Sequence, residues 1–241
     1  MDRTDFLAAL QRDGNAFAAA CASAGPDAAV LSCPGWKVSD LLWHLTEVHH
    51  FWRTMTAGLL SSHESYVRTE RPADGDHLAA YVTGLAATID VLTAADPGAT
   101  MWTWSPDQSP RFVIRRMAHE TAVHLWDAQQ AAGSPMPIDA GLASDGIDEF
   151  LQYFIDGVAD GASAVDGSVH IHCTDVAGEW TVRESDDGFV TTREHAKGDC
   201  ALRGAASDLL LVLWRRLPMS TIDVVGDSEV AARFVAHPPL T

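Results

Sequence analysis

Residues 39–60, SDLLWHLTEVHHFWRTMTAGLL, decide the architecture of the first half of the chain, because Leu41, Leu45, Val48, Trp52 and Met55 recur at alternating four- and three-residue intervals. That spacing lays apolar side chains along one stripe of an α-helix, and such a stripe has to be buried against a partner. Ser39 stands where it can cap the first turn. Working outward, the periodicity returns over residues 4–24, where Pro26 ends it, and over 77–95 (HLAAYVTGLAATIDVLTAA), where Pro97 and Gly98 end it. It returns again over 112–132, stopped by Gly133 and Pro135. The stretch MWTWSPDQSP, 101–110, has two prolines and reads as an irregular connection, and a further helix is expected over 140–158. Amphipathic helices of this length joined by modest loops pack most simply as a bundle.

The pattern changes after Gly157. The small, polar VADGASAVDGS (158–168) leads into the strand-like runs SVHIHCT (168–174), EWTVRES (179–185) and GFVTTRE (188–194). Asp186, Asp187 and Gly188 between the last two runs form a hairpin signal, since Asp and Gly tolerate the positive backbone angles of a tight turn. CALRGAASDLLLVLWRR and STIDVVGDSEVAARFVAH each read as a short strand entering a helix. The fold class is therefore α+β: a helical bundle over residues 1–160 and a small α+β domain over 161–241.

Composition narrows the function. The chain has 241 residues, 47% hydrophobic and 20% charged, ample for a buried core. Its 33 acidic residues outnumber the 16 basic ones, and a net charge of -17 repels phosphate backbones and anionic membrane surfaces, so neither nucleic acid nor membrane is expected as a partner. No apolar run approaches the roughly 20 residues that span a bilayer, and the start MDRTDFLAALQRDG has no basic segment followed by an apolar one, so a cytoplasmic location is expected. The four cysteines are scattered and include no C-x-x-C, which argues against a thiolate zinc knuckle or a disulfide scaffold.

Eleven histidines invite a metal, but spacing has to select among them. Glu120 and His124 are four apart, so they project from one face of their helix and can reach one ion; an ordinary helix-surface pair or a core histidine explains the same spacing. His44 follows Leu41, Leu42 and Trp43 and should lie near the bundle-facing side, where an imidazole needs either a metal or a hydrogen-bonding carboxylate. Asp40 and Asp127 are each within a turn of a histidine, close enough to accept the second ring N–H, although Asp40 could equally serve the helix N-terminus. His49, His50 and His119 compete as ligands but point elsewhere around their helices.

Three ordered motifs then carry a resemblance: CPGWKVSDLLWHLTEVHHFW (33–52), RRMAHETAVHLWDAQQAAG (115–133), and LRGAASDLLLVLWRRLP (202–218) followed by IDVVGD (222–227). Together they resemble the mycothiol-dependent maleylpyruvate isomerase family, part of a DinB-like superfamily of helical-bundle metalloproteins, over nearly the whole chain. The resemblance implies a four-helix bundle holding a divalent ion, typically Zn2+, through His44, Glu120 and His124, and a C-terminal α+β domain similar to sterol-carrier-like folds. It further implies mycothiol as thiol cosubstrate, a small electrophilic substrate, and isomerase or S-transferase chemistry. Arg216, in the family-like WRRLP, and Arg203 are candidates to clamp a carboxylate, since guanidinium matches it bidentately. A metal-dependent hydrolase, or a metal-holding binding or regulatory protein without turnover, stands as the alternative.

Overall fold

The computed structural model describes residues 1–156, 164–185 and 188–240, so the expected linker up to residue 163, the expected boundary near 160 and the Asp186–Asp187 part of the hairpin turn lie outside the described residues. The chain divides into two units, Met1–Met136 and Pro137–Thr241.

The first unit is built on α1 (Arg3–Ala24), α2 (Val38–Gly58), α3 (His77–Ala94) and α4 (Pro110–Ala131). At the start of α1, Asp2 accepts a hydrogen bond from the Asp5 amide and Asp5 accepts one from the Asp2 amide, satisfying two donors that the helix leaves open. Helix α2 begins one residue before the expected cap. Ser39 lies inside it, and Asp40 takes the capping role by accepting from the Lys37 amide at 3.0 Å. Pro110 opens α4, where its missing N–H costs nothing. Helix α1 packs on α4 and α2 on α3, and α1–α3 and α2–α4 contacts close the four-helix bundle. Leu10, Phe17, Leu41, Leu45, Met55, Tyr81, Leu92, Ile114 and Met117 are all but completely buried there. At about 1.5–3 kcal/mol for each large apolar side chain, this core is the main source of stability. Gly14 on α1 leaves room for Leu85 of α3, because a Cβ there would meet the Leu85 side chain at 2.6 Å. Helix α3, 18 residues with mean hydropathy 1.3, is by length and composition apolar enough to cross a membrane. It packs instead along α1 and α2, burying Tyr81, Leu85 and Leu92.

The second unit comprises α5 (Ala140–Tyr153), β1 (Ser168–Cys173), β2 (Glu179–Ser185), β3 (Gly188–Thr192), β4 (Cys200–Gly204), α6 (Ala206–Leu213), β5 (Asp223–Gly226) and α7 (Ser228–Ala236). Sequence periodicity groups α5 with the helices before it, but its apolar face packs on α6, which places it in this unit. The five strands run in the order β3-β2-β1-β4-β5; β1 and β4 are parallel and every other pair antiparallel. Val169, Ile171, Trp180, Val182, Cys200 and Leu202 are buried, and α7 covers β1 and β4. Alternation along β1 turns His170 and His172 to the opposite face from Val169 and Ile171.

Candidate metal centre

His44 from α2 meets Glu120 and His124 from α4, with donor atoms of all three within 4.8 Å of one another. His44 Nε2 and His124 Nε2 each lie 3.2 Å from the same oxygen, Glu120 Oε1. The two rings meet edge to face, their centroids 5.0 Å apart. The four-residue step in α4 aligns Glu120 and His124, and the α2–α4 packing supplies His44.

The supports of this triad come from two directions. One turn before Glu120, Arg116 bonds its Oε2, which leaves Oε1 to the imidazoles. Asp127, fully buried, lies 2.9 Å from His124 Nδ1 and accepts a 2.6 Å hydrogen bond from Ser32 Oγ. Ser32 belongs to the loop between α1 and α2, which closes through an Ala29–Lys37 bridge and a Val30 N–H bond to Trp36 O. Gly35 makes its turn at φ +85°, a conformation few side chains adopt. The same loop sets the Trp36 ring 5.1 Å from the His44 ring and Cys33 Sγ 4.0 Å from Asp127 Oδ2.

Of the sequence candidates, the structure brings together His44, Glu120, His124 and Asp127, but not Asp40. Both oxygens of Asp40 are engaged on the helix start, one by the Lys37 amide and the other by Arg71 at 2.8 Å, because a carboxylate in the first turn sees the open backbone N–H before it sees a ring a turn further on. His49 is buried against Thr121 Oγ1 at 2.9 Å, His50 Nδ1 meets the Tyr66 hydroxyl at 2.8 Å, and His119 is buried edge-on to Phe6. Trp52 and Trp126 are core residues. Arg203 lies exposed on β4, its guanidinium 3.9 Å from Asp223, and Arg216 donates to Trp214 O at 2.9 Å beside the Trp214 ring. Arg116 and Ser32 escape a reading of sequence alone. Arg116 had a signal, standing four residues before Glu120 in the same motif, whereas Ser32 lies in a loop 95 positions from its partner.

Burial disfavours the Glu120 carboxylate, but the Arg116 guanidinium and the two imidazoles outweigh it and hold its pKa well below the usual range. Burial likewise disfavours the His124 imidazolium, and hydrogen bonds to Asp127 and Glu120 overcome this and push its pKa up to about 9. At neutral pH the two therefore stand as carboxylate and imidazolium, an ion pair. The donor set, two imidazoles and one carboxylate, fits a divalent cation such as Zn2+. Tetrahedral bonds of about 2.0–2.1 Å separate donors by roughly 3.3 Å, close to the 3.2 Å contacts here.

Residues 7–129 match the Mycothiol maleylpyruvate isomerase N-terminal domain, and residues 141–233 the MDMPI C-terminal domain. Among solved structures the chain is similar to a mutant of the mycothiol-dependent maleylpyruvate isomerase, with TM-score 0.63 and 9% identity over 93% of both chains. The mycothiol-dependent maleylpyruvate isomerase itself aligns with TM-score 0.60 and 10% identity over the same shares. At such identities the likeness is one of fold. No curated protein matches the chain.

Proposed function

Because the chain belongs to the mycothiol maleylpyruvate isomerase family, we propose that it is a divalent-metal-dependent enzyme that uses mycothiol on a small electrophilic, carboxylated substrate, as isomerase or S-transferase. The observation that carries this reading is the convergence of two imidazole Nε2 atoms on one carboxylate oxygen, at a triad whose His44 side chain is 34% exposed. Three protein donors rather than four would leave such an ion open to a molecule from solution, as in catalytic rather than structural zinc. When bound, the ion, most simply Zn2+, supplies a Lewis acid that favours a thiol in its thiolate form.

The chain's own residues orient and hold protons. With an ion at Nε2, Asp127 would hold the remaining His124 proton on Nδ1, and Ser32 fixes the Asp127 carboxylate. Arg116 anchors Glu120 through its second oxygen. At an unsaturated substrate, addition of a thiolate sulfur converts a double bond to a single one. Rotation and expulsion of the thiolate then restore the double bond in the isomer, whereas uptake of a proton from solvent at the neighbouring carbon retains the sulfur as an S-conjugate. A cytoplasmic setting, where small thiols stay reduced, suits either outcome.

The test is metal analysis of wild type, His44→Ala and Glu120→Ala, followed by mycothiol titration of the cobalt-loaded protein. The reading requires metal in the wild type, less in both variants, and a cobalt spectrum that moves with thiol. Equal metal in all three sinks the site. A spectrum unmoved by mycothiol sinks the thiol role and favours a hydrolase or a metal-holding regulatory protein.

A further inference from the structure

A second cluster of ligand-type side chains lies in the C-terminal unit: His170 and His172 on β1, Glu179 on β2, and His195 just after β3, with donor atoms all within 4.8 Å of one another. Strand geometry builds it. His170 and His172 are two residues apart and share a face, and in the β1–β2 register His172 stands directly opposite Glu179. The segment that carries His195 is tied back by Thr181 Oγ1, which donates to Glu194 O at 3.2 Å. Three ring nitrogens converge on one oxygen, Glu179 Oε1: His172 Nδ1 in hydrogen-bond contact, His195 Nδ1 at 2.8 Å and His170 Nε2 at 3.7 Å.

The His170 side chain is nine-tenths buried, and its Nε2 is aimed into the cluster with no hydrogen-bond partner. A buried imidazole nitrogen without a partner is costly and needs an occupant to explain it. A proton serves poorly, since Glu179 Oε1 already faces His172 and His195 and is too far to bond His170. A divalent cation among the four groups serves all of them at once, because an ion accepts a lone pair from each nitrogen and from the carboxylate.

We propose that His170, His172, Glu179 and His195 form a second divalent-cation site, for Zn2+ or an ion of similar size and softness, closed by four protein ligands. A closed set leaves no place for substrate, so this site is structural: it pins the segment after β3 onto β1 and β2. It rests on residues of the second unit alone and is independent of the ion proposed in the bundle.

The test is zinc and cobalt stoichiometry on the full-length protein, with dialysis against metal-free buffer, for wild type, His44→Ala, His172→Ala/His195→Ala and the triple variant. His195 is exposed, and circular dichroism confirms that each variant is folded. The expected stoichiometries are two ions, one, one and none. Zinc should also raise the melting temperature of His44→Ala and leave that of the triple variant unchanged. One ion in wild type that survives in His44→Ala and vanishes in His172→Ala/His195→Ala supports this site while sinking the one in the bundle. A stoichiometry that His172→Ala/His195→Ala leaves unchanged from wild type overturns the proposal.

Discussion

Two regions of the chain gather histidines around a single carboxylate oxygen, and they reach that end by different backbone arithmetic. In the bundle, a four-residue step along α4 aligns Glu120 with His124, and a neighbouring helix adds His44. In the sheet, a two-residue step along β1 aligns His170 with His172, and a cross-strand neighbour adds Glu179. The helical cluster has three donors and a buried network behind them, Asp127 and Arg116, that fixes ring orientation and carboxylate. The strand cluster has four donors, of which His195 is largely exposed. Donor number and dryness of support are thus the two differences on which the proposed roles rest, an ion presented to substrate in the bundle and a loop fastened in the sheet.

The largest effect expected is at Glu120, the oxygen both bundle imidazoles share. Glu120→Ala should lower zinc affinity of the bundle site more than ~100-fold, beyond what loss of a supporting residue costs, and should abolish thiol-dependent turnover. Competition with a chromophoric chelator measures it. Should Glu120→Ala instead lower the affinity of the His172–His195 site, the two clusters are not independent.

The next effect concerns a histidine buried outside both clusters. Burial pushes the His49 pKa from 6.5 to about 3, so the unfolded chain takes up that proton first as pH falls. Its contribution to stability is therefore complete above about pH 6.5 and is lost as pH drops toward 3, amounting to about 2–4 kcal/mol at pH 4. Urea titrations between pH 7 and pH 4 should show this decline, and His49→Gln should flatten it.

Smaller effects follow at the supports. Asp127→Asn removes the anion that orients His124 and should weaken zinc in the bundle by about 10–100-fold, with the melting temperature of the metal-free protein as control. Asp40→Asn should leave zinc affinity unchanged and cost only about 0.5–1 kcal/mol, through loss of charge at the start of α2 and of the Arg71 pair. An affinity loss there would mean that Asp40 turns to His44 once the ion arrives.

What the sequence made legible follows the range of the interaction. Helical spacing located α1 to α4 within a residue or two, because apolar stripes are written locally. The triad was legible as a spacing within one helix plus a motif in another. Asp40 misled because its i,i+4 relation to His44 competes with an equally local one to the Lys37 amide, and geometry at the helix end favours the backbone donor. Ser32 was out of reach, since its tie to Asp127 exists only once the chain is folded. The strand cluster did leave a trace, in the H-x-H of VHIHC, which places two imidazoles on one face of a strand. Helix-based reasoning passes over that period. The packing of α5 on α6 is illegible for a similar reason: its stripe says that it must be covered, not by what.

The parallel pairing of β1 with β4 bears on the order in which the second unit assembles. Hairpins such as β2–β3 close within microseconds, but β1 and β4 meet only after the chain has looped back, with Ser168 and Asp199, 31 positions apart, at the junction. The Asp199 carboxylate accepts from both the amide and the hydroxyl of Ser168, a clasp that holds the returning strand in register as soon as it arrives. Loop closure alone therefore predicts that the β1–β4 pairing forms last. A slow refolding phase should belong to this strand exchange, and cutting the clasp with Asp199→Ala should lengthen that phase while the helical half recovers at its own pace.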